Sequence, residues 1–321
     1  MRNKHSIAVA GSHGKTTTTS LVGSILQECK KDPTIVNGGI INAFSSNHRF
    51  GQGEWMVVEA DESDGSFLRL PHEINIITNI DAEHLDYYKT EKKLFEAFEN
   101  FIINIPFYGY SIICIDNKYT KKLAKKIKTR NIITFGTSKN ADVRIIYKGI
   151  LGFTLYDRKK NFHLLIKKNV IPKYSPYFFG KETIGSSNLL GPFETNLMGH
   201  HNILNSTAAI IASLLIGISE EKIFYALKSF QGVRRRFTWL GDIKKSSLFD
   251  DYAHHPTEIK ATYEIAKSLK ESDIVSGVIN ETRKDELRVK WKNIIGVFQP
   301  HRFSRTKNLY DDFIKVLKKF D

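Results

Sequence analysis

Two cysteines, Cys29 and Cys114, are too few and too far apart in a chain of 321 residues for a disulfide scaffold, and their scarcity fits a reducing compartment. Eight prolines exclude a collagen-like or proline-rich chain. No apolar run approaches the ~18 residues that span a bilayer. The amino terminus leads into a buried-strand pattern instead of a signal-peptide apolar segment. No internal repeat or low-complexity stretch occurs. What is present, 41% hydrophobic and 26% charged residues, is the composition of a soluble globular protein. The length suits about two domains of ~150 residues. The expectation is a cytoplasmic protein with no membrane partner.

Acidic residues are also in deficit: 34 Asp and Glu against 48 Lys and Arg leave a net charge of +14. That surplus suits nucleic acid, an anionic lipid surface or phosphorylated small substrates. The lysines, however, are scattered in ones and twos, as at Lys121-Lys122, Lys125-Lys126, Lys159-Lys160 and Lys167-Lys168. No basic stripe with interleaved aromatics forms, which argues against nucleic acid and for a generally basic surface.

Along the chain, short apolar runs alternate with helical patterns. Ile7–Ala10, Trp55–Val58, Ile74–Ile77 and Ser111–Ile115 predict buried strands. Thr17–Leu26, Glu91–Ile103 and Asn117–Lys128 predict helices between them. Such alternation predicts an α/β fold with a mostly parallel sheet covered on both faces. From Ala141 the texture changes: the runs 143–147, 153–156 and 162–166 predict a small antiparallel insertion, and 171–192 a loop. Helices resume at His201–Ile216 and Glu220–Phe230. After Gly232 a second α/β pattern predicts a strand ending at Asp250-Asp251, a helix over Thr257–Leu269, a strand over Ile294–Phe298 and a helix over Leu309–Lys319. The expected domains are therefore 1–232 and 233–321.

The strongest chemical signal is Gly11-Ser12-His13-Gly14-Lys15-Thr16-Thr17, set between a strand and a helix start. Backbone N–H groups in such a turn surround a phosphate, and the helix dipole favours the negative charge. Lys15 would neutralise terminal phosphates and Thr16 would offer its hydroxyl to Mg²⁺. The common G-x-x-x-x-G-K-[ST] spacing needs Gly at position 9, where Val9 stands, so this is a shorter G-x-x-G-K-T form. Acidic clusters follow two strands: Glu59, Asp61, Glu62 and Asp64, then Asp81, Glu83, His84 and Asp86. Ligands of a doubly wound sheet sit beyond the carboxyl ends of its strands, so both clusters should face the loop. Hard oxygen ligands suit Mg²⁺, and a neutral imidazole can complete such a site. Glu59 and His84 are the leading candidates, whereas helix capping and solvated turns account for some of the other acids.

Asn202 and Asn205 lie three apart, on one helical face, a pattern that a capped buried helix explains equally well. Two polar turns end strands of the second pattern, Asp250-Asp251-Tyr252-Ala253-His254-His255 and Gln299-Pro300-His301-Arg302-Phe303-Ser304-Arg305. Arg302 and Arg305 form a pair suited to clamping a carboxylate.

Taken together, AGSHGKTTTTS from Ala10, EADESDGSF from Glu59, NIDAEHLDYY from Asn79, GHHNILN from Gly199, GVRRRF from Gly232, DDYAHHPTEI from Asp250 and VFQPHRFSRT from Val297 resemble the Mur ligases. The likeness is strongest to the members that join L-alanine to UDP-N-acetylmuramate, and it runs from position 5 to about 317. The resemblance implies a P-loop central domain followed by part of a Rossmann-like C-terminal domain. It implies ATP and Mg²⁺, and substrates UDP-N-acetylmuramate and L-alanine, in peptidoglycan precursor synthesis. ATP would phosphorylate the lactyl carboxylate, and the alanine amine would displace phosphate through a tetrahedral intermediate.

Residue by residue, the resemblance gives Gly11, Ser12, His13, Gly14, Lys15, Thr16 and Thr17 to the ATP phosphates. It gives Thr16, Glu59 and His84 to the metal, and Lys15, Glu59 and His84 to catalysis. Asn202 and Asn205 match positions near the adenine, and Asp251 falls where the second domain meets the nucleotide. Tyr252, His254, Arg302 and Arg305 match positions that hold the alanine. Three departures stand out: the loop begins at residue 11 with no UDP-binding domain ahead of it, the chain stops soon after Arg305, and 271–293 reads as an extra solvated helix. A separate chain supplying the UDP-binding domain is the partner this implies. Two alternatives stay open, the related ligase that attaches a preformed peptide and an inactive or split-chain remnant that binds ATP only.

Overall fold

The computed structural model describes residues 3–148, 151–159, 188–244, 246–271 and 291–321. It divides into two compact units, Met1–Gly232 and Val233–Asp321. Among the described residues, no helix is long and apolar enough to cross a membrane.

In the first unit the strands are β1 (His5–Ala10), β2 (Thr34–Ile41), β3 (Ser46–Arg49), β4 (Trp55–Glu59), β5 (Ile74–Ile77), β6 (Tyr110–Cys114), β7 (Asn131–Gly136), β8 (Val143–Lys148), β9 (Gly152–Asp157) and β10 (Leu189–Glu194). The helices are α1 (Lys15–Glu28), α2 (Leu85–Tyr88), α3 (Glu91–Ile103), α4 (Lys118–Lys126), α5 (His200–Leu215) and α6 (Glu220–Ser229). All ten strands form one sheet in the order β10-β9-β8-β7-β6-β5-β1-β4-β2-β3. The run from β8 through β5, β1 and β4 to β2 is parallel, and β3, β9 and β10 join antiparallel at the edges. The antiparallel strands thus extend the main sheet. β1 is central because Ile7, Ala8, Val9 and Ala10 are wholly buried and need cover on both faces.

On one face, Leu94, Ala97, Phe98, Phe101 and Ile102 of α3 pack on Ala8, Ala10, Ile77 and Ile113. Phe67 stacks on Phe101 at 4.9 Å and meets Phe98 edge-on at 5.5 Å. Each such phenylalanine contributes about 2–3 kcal/mol through burial. α1 packs against α5 and β2. It starts at Lys15, two residues before the predicted start, directly after the glycine turn. Asn117 caps α4, accepting hydrogen bonds from the amides of Tyr119 (2.9 Å) and Thr120 (3.3 Å).

Two expectations need correction. Residues 189–192, read as the end of a loop, begin β10: Leu190 and Phe193 are buried, and the strand pairs with β9 across an irregularity at Gly191-Pro192. The composition of Gly and Pro concealed an edge strand. In the second unit the expected strand over Ile294–Phe298 does not form. Among the described residues no strand pairs with it, Ile295 and Val297 are exposed, and Ile294 exchanges hydrogen bonds with Asp321 instead. The sequence-predicted strand at 162–166, the extra helix at 271–293 and most of the 171–192 loop lie outside the described residues.

The second unit holds a two-stranded antiparallel sheet, β11 (Thr238–Ile243) and β12 (Ser246–Asp250), with α7 (Pro256–Glu271), α8 (Phe303–Asn308) and α9 (Tyr310–Leu317). Ile259 of α7 and Phe313 and Val316 of α9 form its small core, with Phe298 and Leu309 packed beside them.

Asp142 secures the join between β7 and β8. Its Oδ2 accepts from the amide (3.0 Å) and the hydroxyl (2.8 Å) of Thr134, and its Oδ1 faces Lys159 at 2.8 Å. Burial opposes its ionised form, but the Lys159 ammonium and the Thr134 donors outweigh that cost and hold the carboxyl below its ordinary pKa. A folded-state value below the unfolded one contributes stability above about pH 4, which is lost as pH falls through the folded value. Asp142→Ala is expected to lower the unfolding free energy by about 2 kcal/mol at pH 7 in urea titrations, and by less at pH 3. An equal loss at both pH values would contradict this.

Candidate functional site

The parallel strand order reverses direction around β1, and the turn that follows it is the geometric centre of the first unit's candidate site. Gly11 (φ 134°) and Gly14 (φ 84°) adopt backbone angles that side chains rarely tolerate. A Cβ at Gly11 would lie 2.2 Å from Thr78 Oγ1, and one at Gly14 would lie 2.6 Å from Asn205 Oδ1. The turn is pinned to the end of β5. The Ser12 amide donates to Asn79 O (3.1 Å), the His13 amide to Asn79 Oδ1 (2.8 Å), and Asn79 Nδ2 returns a bond to His13 O (3.0 Å). Ser12 Oγ accepts from the Asp81 amide at 2.8 Å.

Helix α1 then begins on Gly14 with no side-chain cap. Its first-turn amides have no intrahelical acceptor, and its dipole adds positive potential at that end. The donor set therefore fits an anion such as a phosphate. Lys15 Nζ lies over the turn, donating to Gly11 O (2.8 Å) and to both Glu62 oxygens (3.1 and 2.8 Å). Burial alone would lower the Lys15 pKa, but the Glu62 carboxylate outweighs it and the ammonium is raised. Glu62 is pushed up by its own burial and held back by Lys15.

The acids divide by function of geometry. Glu59, at the end of β4, accepts from Thr16 Oγ1 (3.1 Å) and from the Gly38 amide (2.6 Å). A hydroxyl and a carboxylate side by side at a helix start are hard oxygen donors that fit a divalent cation such as Mg²⁺. Asp61 and Asp64 are exposed and accept from the amides of Ser63 and Ser66, so they organise turns. Asp81 lies 2.9 Å from His13 Nε2. His84 takes a left-handed backbone (φ 56°) that turns its ring inward, placing Nε2 3.8 Å from Glu62 Oε1 and 3.6 Å from Glu83 Oε2. Of the three predicted metal residues, Thr16 and Glu59 are thus brought together, whereas His84 lies beside Glu62 and Glu83.

Asn205, buried on the first turns of α5, rests against Gly14 and donates to Asn202 Oδ1 at 3.1 Å; Asn202 donates to Met198 O at 2.7 Å. Thr17 is buried in α1.

In the second unit both predicted polar turns converge. The rings of Tyr252 and His254 meet at 4.9 Å, and His301 approaches them at 6.4 and 5.5 Å. The guanidinium carbons of Arg235 and Arg236 lie 5.0 and 5.8 Å from the Tyr252 ring centroid. Asp251 accepts from the amides of Phe237 (2.8 Å) and Ala253 (2.7 Å), and burial raises its carboxyl pKa. Burial lowers the His254 pKa, with Glu258 opposing and Arg305 assisting, so the imidazole is neutral at pH 7. Arg302 is exposed and Arg305 half-buried. The Arg305 guanidinium, which acts on the His254 ring, can pair with a carboxylate, and the neutral imidazole can accept a hydrogen bond from an amine.

Glu62, Asn79 and His301 carry much of this geometry and were not singled out as site residues by the sequence patterns. Glu62 stood in a run of four carboxylates, and burial is what separates it from Asp61 and Asp64.

A family model described as the Mur ligase middle domain matches residues 9–213. The chain is similar to the UDP-N-acetylmuramate–L-alanine ligases of Methylobacterium sp. (strain 4-46) and Bartonella quintana, at 42% identity across 98% of its length. It spans 58% of the length of those relatives. Among solved structures it is similar to the UDP-N-acetylmuramate-alanine ligase of Thermotoga maritima, with TM-score 0.65 and 26% identity over 84% of this chain and 55% of that one. A murein peptide ligase from Psychrobacter arcticus shares the fold, with TM-score 0.61 and 23% identity over 83% of this chain and 55% of that one.

Gly14 is under two separate constraints, its backbone angle and the Asn205 side chain. Gly14→Ala is expected to lower stability by about 1–3 kcal/mol. In the Gly14→Ala/Asn205→Ala double variant the steric part should be relieved and the backbone part should remain. Strict additivity of the two single variants in thermal unfolding would show that Asn205 does not press on the loop.

Proposed function

Because this chain belongs to the Mur ligase family, we propose that it performs the ATP-dependent ligation of L-alanine to the lactyl carboxylate of UDP-N-acetylmuramate. The reaction belongs to peptidoglycan precursor synthesis. The observation that carries this reading is the 42% identity to ligases so named across 98% of the chain, spanning both polar centres. The chain covers 58% of those relatives' length, so the reading takes catalysis to need the remaining part as well, on the same polypeptide or on another.

In this reading Gly11 to Thr17 hold the ATP phosphates through backbone amides. Lys15 offsets charge on the transferred phosphoryl group, because such transfer is mostly positioning and charge neutralisation. Thr16 and Glu59, with His84, are the residues that would hold Mg²⁺, and the ion would supply further neutralisation of phosphate charge. Asn202 and Asn205 stand by the nucleotide, with Asn205 also shaping the loop at Gly14. Asp251 takes the nucleotide role that its match to the family implies. Arg302 and Arg305 bind the alanine carboxylate, while Tyr252 and His254 orient its amine. His254, neutral at pH 7, accepts a hydrogen bond from that amine without repelling it.

Acyl phosphate formation and amine attack then balance simply. The carboxylate oxygen takes the γ-phosphoryl group from ATP, leaving ADP. The alanine nitrogen, as the neutral amine, bonds the acyl carbon, phosphate leaves, and the nitrogen releases one proton to solvent and keeps one N–H in the amide.

Lys15→Ala should abolish ATP binding in calorimetry while the circular dichroism spectrum stays that of the parent; unchanged affinity would sink the loop assignment. The acceptor assignment makes a second claim. Arg302→Ala and Arg305→Ala should each raise the half-saturating L-alanine concentration about tenfold, a loss of about 1.4 kcal/mol. That of ATP should be unmoved in a coupled ADP-release assay. Equal effects on both substrates would contradict a role on the amino acid.

A further inference from the structure

The Lys15 ammonium has three hydrogens to donate, and this chain supplies an acceptor for each: Gly11 O and the two oxygens of Glu62. A phosphate therefore cannot be added to Lys15; it must take the place of a bond already made. Gly11 O belongs to the pinned turn, so the exchangeable acceptor is Glu62.

Glu62 is built to wait there. Its side chain is 1% exposed, and its backbone carbonyl is fixed by Tyr88 Oη (2.5 Å) and the Gly65 amide (3.2 Å). His84 Nε2 stands 3.8 Å from Oε1, ready to remain with the carboxylate when the ammonium turns away. An unpaired buried ammonium is costly, so some anion must stay with Lys15 in the absence of ligand. Glu62 fills that need, but with only one negative charge at a site meant for several.

We propose that Glu62 is a resident counter-ion on Lys15 that nucleotide phosphates displace, so that it positions the lysine and sets the loop's preference for polyphosphate over a single small anion. A monovalent or weakly held anion cannot repay the loss of a two-oxygen contact. A di- or triphosphate repays it through the loop amides it reaches at the same time. The proposal rests on Gly11 to Thr17 being a phosphate loop.

The test is ADP affinity by calorimetry, with EDTA present so that divalent cations play no part. Glu62→Gln keeps the shape and removes the charge, leaving Lys15 a poorer partner in the free protein. ADP should then bind on the order of tenfold more tightly, and inorganic phosphate should compete with it at correspondingly lower concentration. A merely structural role for Glu62 predicts the opposite, weaker binding of both. Should Glu62→Gln fail to fold, Glu62→Asp draws the carboxylate back by one methylene and should tighten ADP several-fold. Unchanged or weaker binding in the folded variant overturns the proposal. Lys15→Met separates the two levels of inference. If it leaves ADP affinity unchanged, the loop reading and this proposal fall together. If it weakens ADP while Glu62→Gln does not strengthen it, only the counter-ion role falls.

Discussion

The candidate site of the first unit depends on one piece of backbone, the turn from Gly11 to Gly14, and on how Asn79 holds it. Asn79 uses its carbonyl and both ends of its side-chain amide on Ser12 and His13. Thr78 adds a hydroxyl bond to His13 O at 2.6 Å. Those contacts satisfy the middle of the turn internally, so the groups left to face a ligand are those of the helix start. A loop whose own amides were unmade would collapse or wander; this one is preorganised at the entropic cost of fixing two glycines in conformations that other residues rarely adopt. Strand β1, buried on both faces, fixes where the turn begins, and α1 fixes where it ends.

From that frame the charges sort themselves. The +14 surplus of the chain is scattered along the sequence and says little about the site. Within the site the balance runs the other way: Glu59, Glu62, Asp81 and Glu83 surround one lysine and two histidines. An excess of carboxylates next to an anion-binding turn is unfavourable unless cations join them. The pairing of Thr16 with Glu59 is where a divalent ion would relieve that imbalance. Local sign, and not net charge, is what makes the phosphate reading and the Mg²⁺ reading compatible.

Much of this was legible in the sequence because it depends on short-range pattern. A buried run ending in Gly-x-x-Gly-Lys-Thr specifies strand, turn and helix within a dozen residues, and the structure has β1, the turn and α1 there. Contacts between distant segments were less legible. Nothing local marks Glu62 apart from Asp61, since the difference is which of them meets Lys15 and His84. Asn79 precedes an acidic cluster that draws attention to Asp81 and His84 instead. The strand at 189–194 was hidden by Gly191-Pro192, because its pairing is set by β9 and not by its own propensity. At 294–298 the failure ran in reverse: an apolar run has strand propensity, but a strand needs a partner, and Ile294 is engaged by Asp321.

The second unit applies the same physical strategy with rings in place of a glycine turn. Asp251 gives its two oxygens to the amides of Phe237 and Ala253, and the Tyr252 amide donates to Arg235 O at 2.7 Å. The turn 251–254 is therefore stitched to 235–237 before any ligand is considered. That stitching carries Tyr252 under Arg235 and Arg236, and sets His254 beside it with Nδ1 against Tyr252 O at 2.8 Å. Because Nδ1 is engaged with the carbonyl, it holds the proton of the neutral ring, and Nε2 is the nitrogen left to accept one. A carboxylate committed to backbone donors acts at a distance, through the residues it places. Asp251 thus holds the backbone that sets the imidazole tautomer of His254 and the cationic face of Tyr252.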